Sequence, residues 1–304
     1  MALASPRILS GTDLRQLSQR SDWRGALRIG IHLALLIFAG ALVAVAATPW
    51  QLWPAMLLLG LVQAALFAPL HETMHATAFA SRRANAIVGW LAGCPSLMNW
   101  HFYAAFHLAH HSHTQDPARD PELTPPAPRD ARGYVLRVLA VNYWRARCKV
   151  IADAWRGDLS AYPYIAAPAR LRIVTSVRWM CVFAAAAALG SALLAGWRAP
   201  LIFWIGPQLL GQPFLRLYLL TEHTGCTHDA NGLTNTRTTL TNPLLRLLMW
   251  NMSFHAEHHL YPSIPFHRLP AAHRLLRERL AVVQPGYTRW HRGYFRQIMS
   301  ADRA

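Results

Sequence analysis

Four long apolar runs, two in each half of the chain, limit most strongly what this sequence can fold into. The runs cover residues 29–47, 52–70, 177–196 and 200–220. Each is about as long as a helix needs in order to cross a bilayer core of roughly 30 Å. Only short turns separate the members of each pair. The sequence therefore predicts four transmembrane helices arranged as two hairpins.

The number of crossings decides which parts of the chain can meet. Because each hairpin returns to its starting side, an N-terminal arm (1–28) and a helical cap (71–176 and 221–304) fall on one side of the membrane. The opposite turns carry a single basic residue, Arg198, whereas the cap is rich in arginine. The positive-inside rule then places the cap and both termini in the cytoplasm. We predict one all-α integral membrane domain over residues 1–304.

The charge balance supports a membrane setting. Charged residues make up 14% of the chain, well below the roughly 25% of an average soluble domain. The net charge of +16 comes almost entirely from arginines that flank the apolar runs, with Lys149 as the one lysine. This pattern fits a lipid surface, and the sequence contains no nucleic-acid-binding motif. The four scattered cysteines predict neither a disulfide framework nor a cysteine metal site.

Three histidine clusters lie at the ends of the predicted spans or in the cap. On a helix, residues three and four positions apart share one face, so each cluster presents its imidazoles together. Eight nitrogens are too many for one metal ion, which indicates two metals. Imidazole suits iron, zinc, copper and nickel. The clusters are His71 and His75, then His107, His110 and His111, then His255, His258 and His259.

The three spaced histidine boxes between two transmembrane hairpins resemble the membrane fatty acid desaturase and hydroxylase superfamily. The stretches from Gln115 to Pro117 and from Asn235 to Thr239 are similar to those of bacterial members, which implies a bacterial inner membrane. The resemblance implies that the boxes bind two iron ions and that His223, at the end of the fourth run, completes the ligand set. It also implies O2-dependent desaturation of a long acyl chain. Since the chain contains no cytochrome b5 module, a separate ferredoxin or cytochrome b5 type donor with its reductase must supply electrons.

Carboxylates beside the boxes are candidates to orient the histidines. A ligating histidine commonly donates its second N–H to a carboxylate, which fixes the tautomer. Glu72, Glu222 and Glu257 each stand next to a proposed ligand in the sequence. We expect four further histidines to lie around the site or on the surface: His101, His113, His228 and His267.

Other functions remain open at this point. Lipid hydroxylases and carotenoid hydroxylases or ketolases share these boxes, because all begin by removing one hydrogen. The segment from His71 to His75 also matches HExxH, the motif of zinc proteases, in which the glutamate is the general base. That function leaves the other two boxes unexplained. A histidine-rich metal transporter would need ligands inside the spans, whereas these lie at span ends.

A polar stripe in the fourth run gives two further alternatives. Gln208, Gln212 and Arg216 recur every four residues, and Gln63 and Phe67 precede His71 at the same spacing. An arginine inside a span costs roughly 2.5–3.5 kcal/mol on insertion scales, so the stripe is expected either to face inward, towards the metals, or to place Arg216 at the interface.

Overall fold

The computed structural model describes residues 8–301 and is almost entirely helical. The two termini, and the predicted cytoplasmic position of their end residues, lie outside this range. The helices are α1 Gly11–Leu17, α2 Asp22–Val45, α3 Pro49–Ala64, α4 Phe67–Met74, α5 Arg82–Gly93, α6 Trp100–His113, α7 Ala131–Val138, α8 Val141–Arg156, α9 Ala167–Ala195, α10 Gly206–His223, α11 Pro243–Leu248, α12 His255–Leu260, α13 Leu269–Leu276 and α14 Tyr287–Ala301. Two short strands, β1 Thr238–Thr239 and β2 Val283–Gln284, pair in parallel.

Three helical stretches of the described chain are long and apolar enough to span a membrane. They are Asp22–Val45, Pro49–Met74 and Ala167–Ala195. In the first and third of these stretches 17% of the residues in the most apolar 18-residue segment are buried, whereas in the second, made of α3 and α4, 67% are buried. The apolar side chains of α2 and α9 therefore face outward, as lipid contact requires, and α3–α4 lies centrally. An all-α membrane fold is confirmed, although α9 begins ten residues before the predicted run.

The fourth predicted span is helical, but it is not among the stretches with the hydropathy of a membrane span. A π-helical turn, Leu201–Ile205, continues directly into α10. Gln208, Gln212 and Arg216 lower the apolar character of this helix. It packs closely on α3, where a Cβ added at Gly211 would lie 1.9 Å from the carbonyl oxygen of Gly60. Four spans in two hairpins therefore remain a prediction.

Helices α5 and α6 form a hairpin that positions the second histidine box. The turn between them, Cys94–Ser96, packs against α10 and the π-helical turn before it. The indole of Trp204 in the π-helical turn donates to the Pro95 carbonyl (2.8 Å), and the Ser96 hydroxyl donates to the amide oxygen of Gln208 in α10 (3.2 Å). The side chain of Asn99 caps the start of α6. The histidine-bearing end of α6 meets the His223 end of α10.

The cap is held together by an aromatic core and by long-range hydrogen bonds. Trp250 and Phe266 are fully buried and pack against each other at 4.6 Å between ring centroids. Strand β1 runs beside α12, and the hydroxyl of Thr238 donates to the carboxylate of Glu257. Leu17 of α1 packs with Leu276 of α13 in the same small cluster. These contacts bring α12 over the ends of α4, α6 and α10.

Candidate metal centre

The four elements that carry the predicted ligands meet at one place. His71 lies in α4 and His75 caps its C-terminus, while α6 carries the second box and α12 carries the third. His223 is the last residue of α10. Because side chains at i, i+3 and i+4 share a helical face, each helix directs its box towards the same interior space.

Five histidines from three helices form the first group. Each offers a ring nitrogen, and all of these nitrogens lie within 4.8 Å of one another. The Nε2 atom of His258 is 3.1 Å from Nε2 of His75 and 3.2 Å from Nε2 of His111. The group, called here the five-histidine group, is His71, His75, His107, His111 and His258.

A second group combines three histidines that are far apart in sequence. His110, His223 and His259 meet within the same 4.8 Å limit and are called here the three-histidine group. The Nε2 atom of His223 lies 3.2 Å from that of His110 and 3.1 Å from that of His255. His255 therefore stands beside this group, and all nine predicted ligands are brought together.

The arrangement suits metal binding better than hydrogen bonding. A neutral imidazole has one N–H donor and one acceptor nitrogen. Yet Nε2 of His258 faces two other Nε2 atoms, and so does Nε2 of His223, and such sets cannot all be satisfied by single protons. Both ring nitrogens of His71 are buried with no hydrogen-bond partner among the described residues. Nitrogens about 3 Å apart that converge in this way fit ligands of a common ion of the iron, zinc, copper or nickel type.

The opposite ring nitrogens of the three-histidine group are tied to the protein. Nδ1 of His110 donates to Asp120, at 2.9 Å and 3.0 Å from its two oxygens. Nδ1 of His223 lies 3.1 Å from the carbonyl oxygen of Asn235, and Nδ1 of His259 lies 3.2 Å from the hydroxyl of Thr114. Such contacts fix the tautomer and leave Nε2 free to bind a metal.

Asp120 and Glu122 are the carboxylates that reach the site from the loop after α6. One oxygen of Glu122 lies 3.8 Å from Nδ1 of His107 and the other lies 3.6 Å from Nε2 of His110. The Glu122 side chain is 32% exposed, so the centre has an opening beside it. Carboxylates that stand next to a histidine in the chain were preferred on sequence grounds, and so these two residues were not selected. Their place in the loop that follows the second box was the available signal.

The three carboxylates singled out from the sequence have different surroundings. Glu222 lies near a ligand candidate, with one oxygen 3.6 Å from Nε2 of His255. Glu72 accepts a hydrogen bond from the backbone N–H of Phe266 (2.8 Å) and so ties α4 to the cap. Glu257 accepts from Thr238 and from Nδ1 of His273, a residue that sequence reasoning missed. Glu72 and Glu257 thus bond elements that carry the boxes.

The four further histidines noted from the sequence lie outside both groups. His101 bonds the hydroxyl of Ser176 (2.9 Å), and His228 approaches the carbonyl of Gln115 (3.2 Å). His267 stacks edge-on against Phe266. His113 is the last residue of α6, beyond the box.

Burial keeps most of the cluster neutral. The burial of His107, His111 and His258, and then the charge of neighbouring imidazoles, hold the pKa of each well below its ordinary value. The same two causes lower the pKa of His223 to about 3. A neutral imidazole is the form that binds a metal.

His110 is the exception among the buried rings. Burial alone would lower the pKa of His110, but the carboxylates of Glu122 and Asp120 outweigh it and the pKa is raised. The hydrogen bonds from His110 and from two backbone N–H groups lower the pKa of Asp120 in spite of its burial. Asp120 is therefore a carboxylate that keeps a proton on Nδ1 of His110.

Comparison with known proteins decides the family. The sequence model of the family described as "Fatty acid desaturase" matches residues 47–291, more than half of the chain. The chain belongs to the fatty acid desaturase family. The matched range includes all nine histidines and two of the three apolar spans. Membership makes the protein an oxidoreductase, and together with the apolar helices it indicates an integral membrane protein with a histidine-rich metal centre.

A curated relative adds a second comparison. This desaturase is 26% identical over 282 residues to the dihydrorhizobitoxine desaturase of Bradyrhizobium elkanii, covering 87% of this chain and 77% of the relative. The name of the relative is consistent with desaturase-type chemistry.

Proposed function

We propose that this desaturase uses O2 and two external electrons to introduce a double bond into a long acyl chain. The observation that carries the proposal is the sorting of eight imidazoles into two adjacent groups, with His255 beside the second. Two groups fit two metal ions, which agrees with the number of nitrogens that the sequence offers.

In this proposal each group holds one iron. The five-histidine group binds one ion, and the three-histidine group, with His255 beside it, binds the other. When bound, a pair of iron ions supplies the redox chemistry with O2 that an unactivated C–H bond requires and that zinc does not offer.

The protein contributes position and shelter. Asp120 holds His110 in one orientation, and Thr114 does the same for His259. Tyr103 stacks on His107 at 5.1 Å between centroids, and Phe67 packs edge-on against Tyr103. These rings keep water from one side of the five-histidine group.

The proposed membrane arrangement explains how substrate and electrons reach the same centre. We place four spans in two hairpins, with the cap and both termini on the cytoplasmic side of a bacterial inner membrane. The chain of the substrate then arrives from the bilayer. A ferredoxin or cytochrome b5 type donor arrives from the cytoplasm.

The surface of α13 is the proposed contact for an acidic electron donor. Arg274, Arg277 and Arg279 are exposed there and Arg268 is half-buried. His273, on the same helix, bonds Glu257 within the third box, so this surface is directly connected to α12. Electron transfer through such a contact should slow as salt increases, because exposed charges are screened within about 10 Å at 0.1 M.

The test is product analysis with the purified protein, ferrous iron, O2, a ferredoxin and its reductase. We expect about two irons per chain and a product that has lost two hydrogens. His258→Ala should lower the iron content and abolish the product. The control is His113→Ala, which replaces a histidine outside both groups and should keep the iron content and the product unchanged.

Other outcomes separate the alternatives. A product that gains an oxygen atom from isotopically labelled O2 would make the protein a hydroxylase, and oxidation of a carotenoid would make it a carotenoid oxygenase. One zinc ion per chain, together with full activity of His258→Ala, would support the zinc protease alternative instead. Dihydrorhizobitoxine, named for the relative, belongs among the substrates tested.

A further inference from the structure

Two arginines share one tyrosine ring beside the metal centre. The guanidinium carbon of Arg216 lies 4.4 Å from the ring centroid of Tyr143, and that of Arg147 lies 5.6 Å from the same centroid. Arg216 is in α10, whereas Arg147 and Tyr143 are in α8. The inward alternative for the polar stripe is therefore the one adopted at Arg216.

Neither guanidinium forms a salt bridge within residues 8–301. Nε and Nη2 of Arg216 and Nε of Arg147 are buried, and none of them forms a hydrogen bond in this range. No described carboxylate lies within 4.0 Å of either side chain, although the charge of Glu122 acts on Arg216 from a greater distance. Buried N–H donors without an acceptor are costly, so a ligand that accepts them would stabilise the pair.

The chemistry of the pair selects a carboxylate. A guanidinium is planar and presents parallel N–H donors that match the two oxygens of a carboxylate. The Tyr143 ring stabilises both cations by cation–π contacts but accepts none of the buried N–H groups. A planar anion would satisfy those donors.

The pair lies within reach of the metal ligands. Arg216 precedes His223 by two helical turns, about 10 Å along α10. Tyr103 is buried in the same apolar cluster as Tyr143, the ring that both arginines contact, and the Tyr103 ring stacks on His107.

Polar side chains lie one helical turn before Arg216. One turn earlier on α10, Gln212 donates to Ser96 (3.3 Å) and to Gln208 (3.2 Å), and Gln208 donates to Gln63 (3.3 Å). The amide oxygen of Gln212 is buried and has no hydrogen-bond partner among the described residues. Buried amide groups can form hydrogen bonds with the polar end of a substrate, whereas the methyl end of an acyl chain would leave them without partners.

We propose that Arg216 and Arg147 bind the carboxylate of the substrate, so that the enzyme acts on a free carboxylic acid and not on an ester or thioester. This assignment rests on the proposed desaturase function, because it names the form in which that substrate is bound. The carboxylate accepts from the unpartnered N–H groups of the two guanidiniums, and the amide of Gln212 lies one helical turn away on α10. The carbon chain leads from there past Tyr103 towards the histidine groups.

Binding can be measured without turnover. The full-length, iron-loaded protein is purified without reductant and titrated with straight-chain saturated acids from butyric to palmitic and with their methyl esters. Since charge-assisted hydrogen bonds are lost in the ester, at least one acid should bind about 10- to 100-fold more tightly than its ester. Arg216→Gln should remove this preference and Arg147→Gln should reduce it.

Matched variants separate the carboxylate from general effects. Arg216→Lys keeps the charge but loses the fork, and it should retain only part of the preference. Arg145→Gln removes an exposed arginine of the same helix and should change nothing. Circular dichroism and iron content show that each variant is folded, and if Arg216→Gln does not fold, Arg147→Gln and Arg216→Lys decide.

The result that overturns the proposal is equal affinity for every acid and its ester, or an acid preference that survives in all three arginine variants of the pair. Desaturation of the methyl esters by Arg216→Gln at the rate at which the wild-type protein desaturates the acids would also overturn the proposal, while leaving the desaturase function intact. Tight binding of an acid with no product in the presence of O2 and reductant would instead contradict the desaturase function alone.

Discussion

Replacing Asp120 with asparagine should weaken one of the two proposed metal sites and leave the other. The carboxylate of Asp120 accepts from Nδ1 of His110, from the backbone N–H of Gln115 (2.8 Å) and from that of Glu122 (2.9 Å). Asparagine keeps one acceptor oxygen and turns an NH2 group towards at least one of these donors. His110 then loses the charge that holds its Nδ1 proton and directs Nε2 to the metal.

The magnitude follows from the contacts that change. Mutation of the group that orients a metal-binding histidine typically costs 10–100-fold in metal affinity, which equals about 1.4–2.7 kcal/mol. Asp120 contacts only His110 among the nine candidate ligands. The cost should therefore fall on the three-histidine group, and the five-histidine group should keep its affinity.

The assay is iron content after dialysis against increasing concentrations of a chelator. The wild-type protein should release its metals at a common high concentration, and Asp120→Asn should release about half of its iron at a concentration 10–100-fold lower. Asp116→Asn is the matched control, since Asp116 lies in the same loop but its side chain bonds only Ala118 and Arg119 among the described residues. If the Asp120 and Asp116 variants release iron in the same way, the role assigned to Asp120 is refuted.

Three further perturbations test the rest of the structure. Buried histidines such as His223, with a pKa of about 3, bind fewer protons in the folded protein than in the unfolded chain. The midpoint of thermal unfolding of the metal-free protein should therefore fall as the pH drops below about 6.5. A constant midpoint between about pH 7.5 and 5.5 would contradict the neutral histidine cluster. Gly211→Ala should destabilise the protein by about 1–3 kcal/mol or more in thermal denaturation, because its Cβ meets the Gly60 carbonyl, whereas Gly190→Ala, with no neighbour within 4 Å, should not; equal stability of the two would contradict the close α3–α10 contact. On a cysteine-free background, Ala127→Cys should react with an impermeant thiol reagent from the cytoplasm and Trp197→Cys from the opposite face; labelling of both from one face would exclude the two-hairpin arrangement.

The local pattern of the chain was sufficient to predict three long apolar helices and to select the candidate ligands. A membrane span needs about 20 apolar residues, and this requirement can be read from a single run of sequence. The spacing of His255, His258 and His259 likewise places three rings on one face, since the geometry of a helix depends only on neighbouring residues.

The division of the histidines between two groups depended on the tertiary structure. His110 and His111 are adjacent, but successive residues point about 100° apart on a helix, so one ring joins the three-histidine group and the other joins the five-histidine group. Their partners come from α4, α10 and α12, whose relative positions are set by packing across the cap. Sequence spacing carries no record of such long-range contacts.

The groups that orient the rings depended on tertiary structure for the same reason. Nδ1 of His223 approaches the carbonyl oxygen of Asn235, and every residue has a carbonyl, so no residue type could have indicated it. The apolar pattern left two positions open for Arg216, inward or at the interface. Only the tertiary structure, in which Tyr143 of α8 lies against the guanidinium of Arg216, decides between them. A buried charge is stabilised by groups that contact it, and these come from another part of the chain or from a ligand.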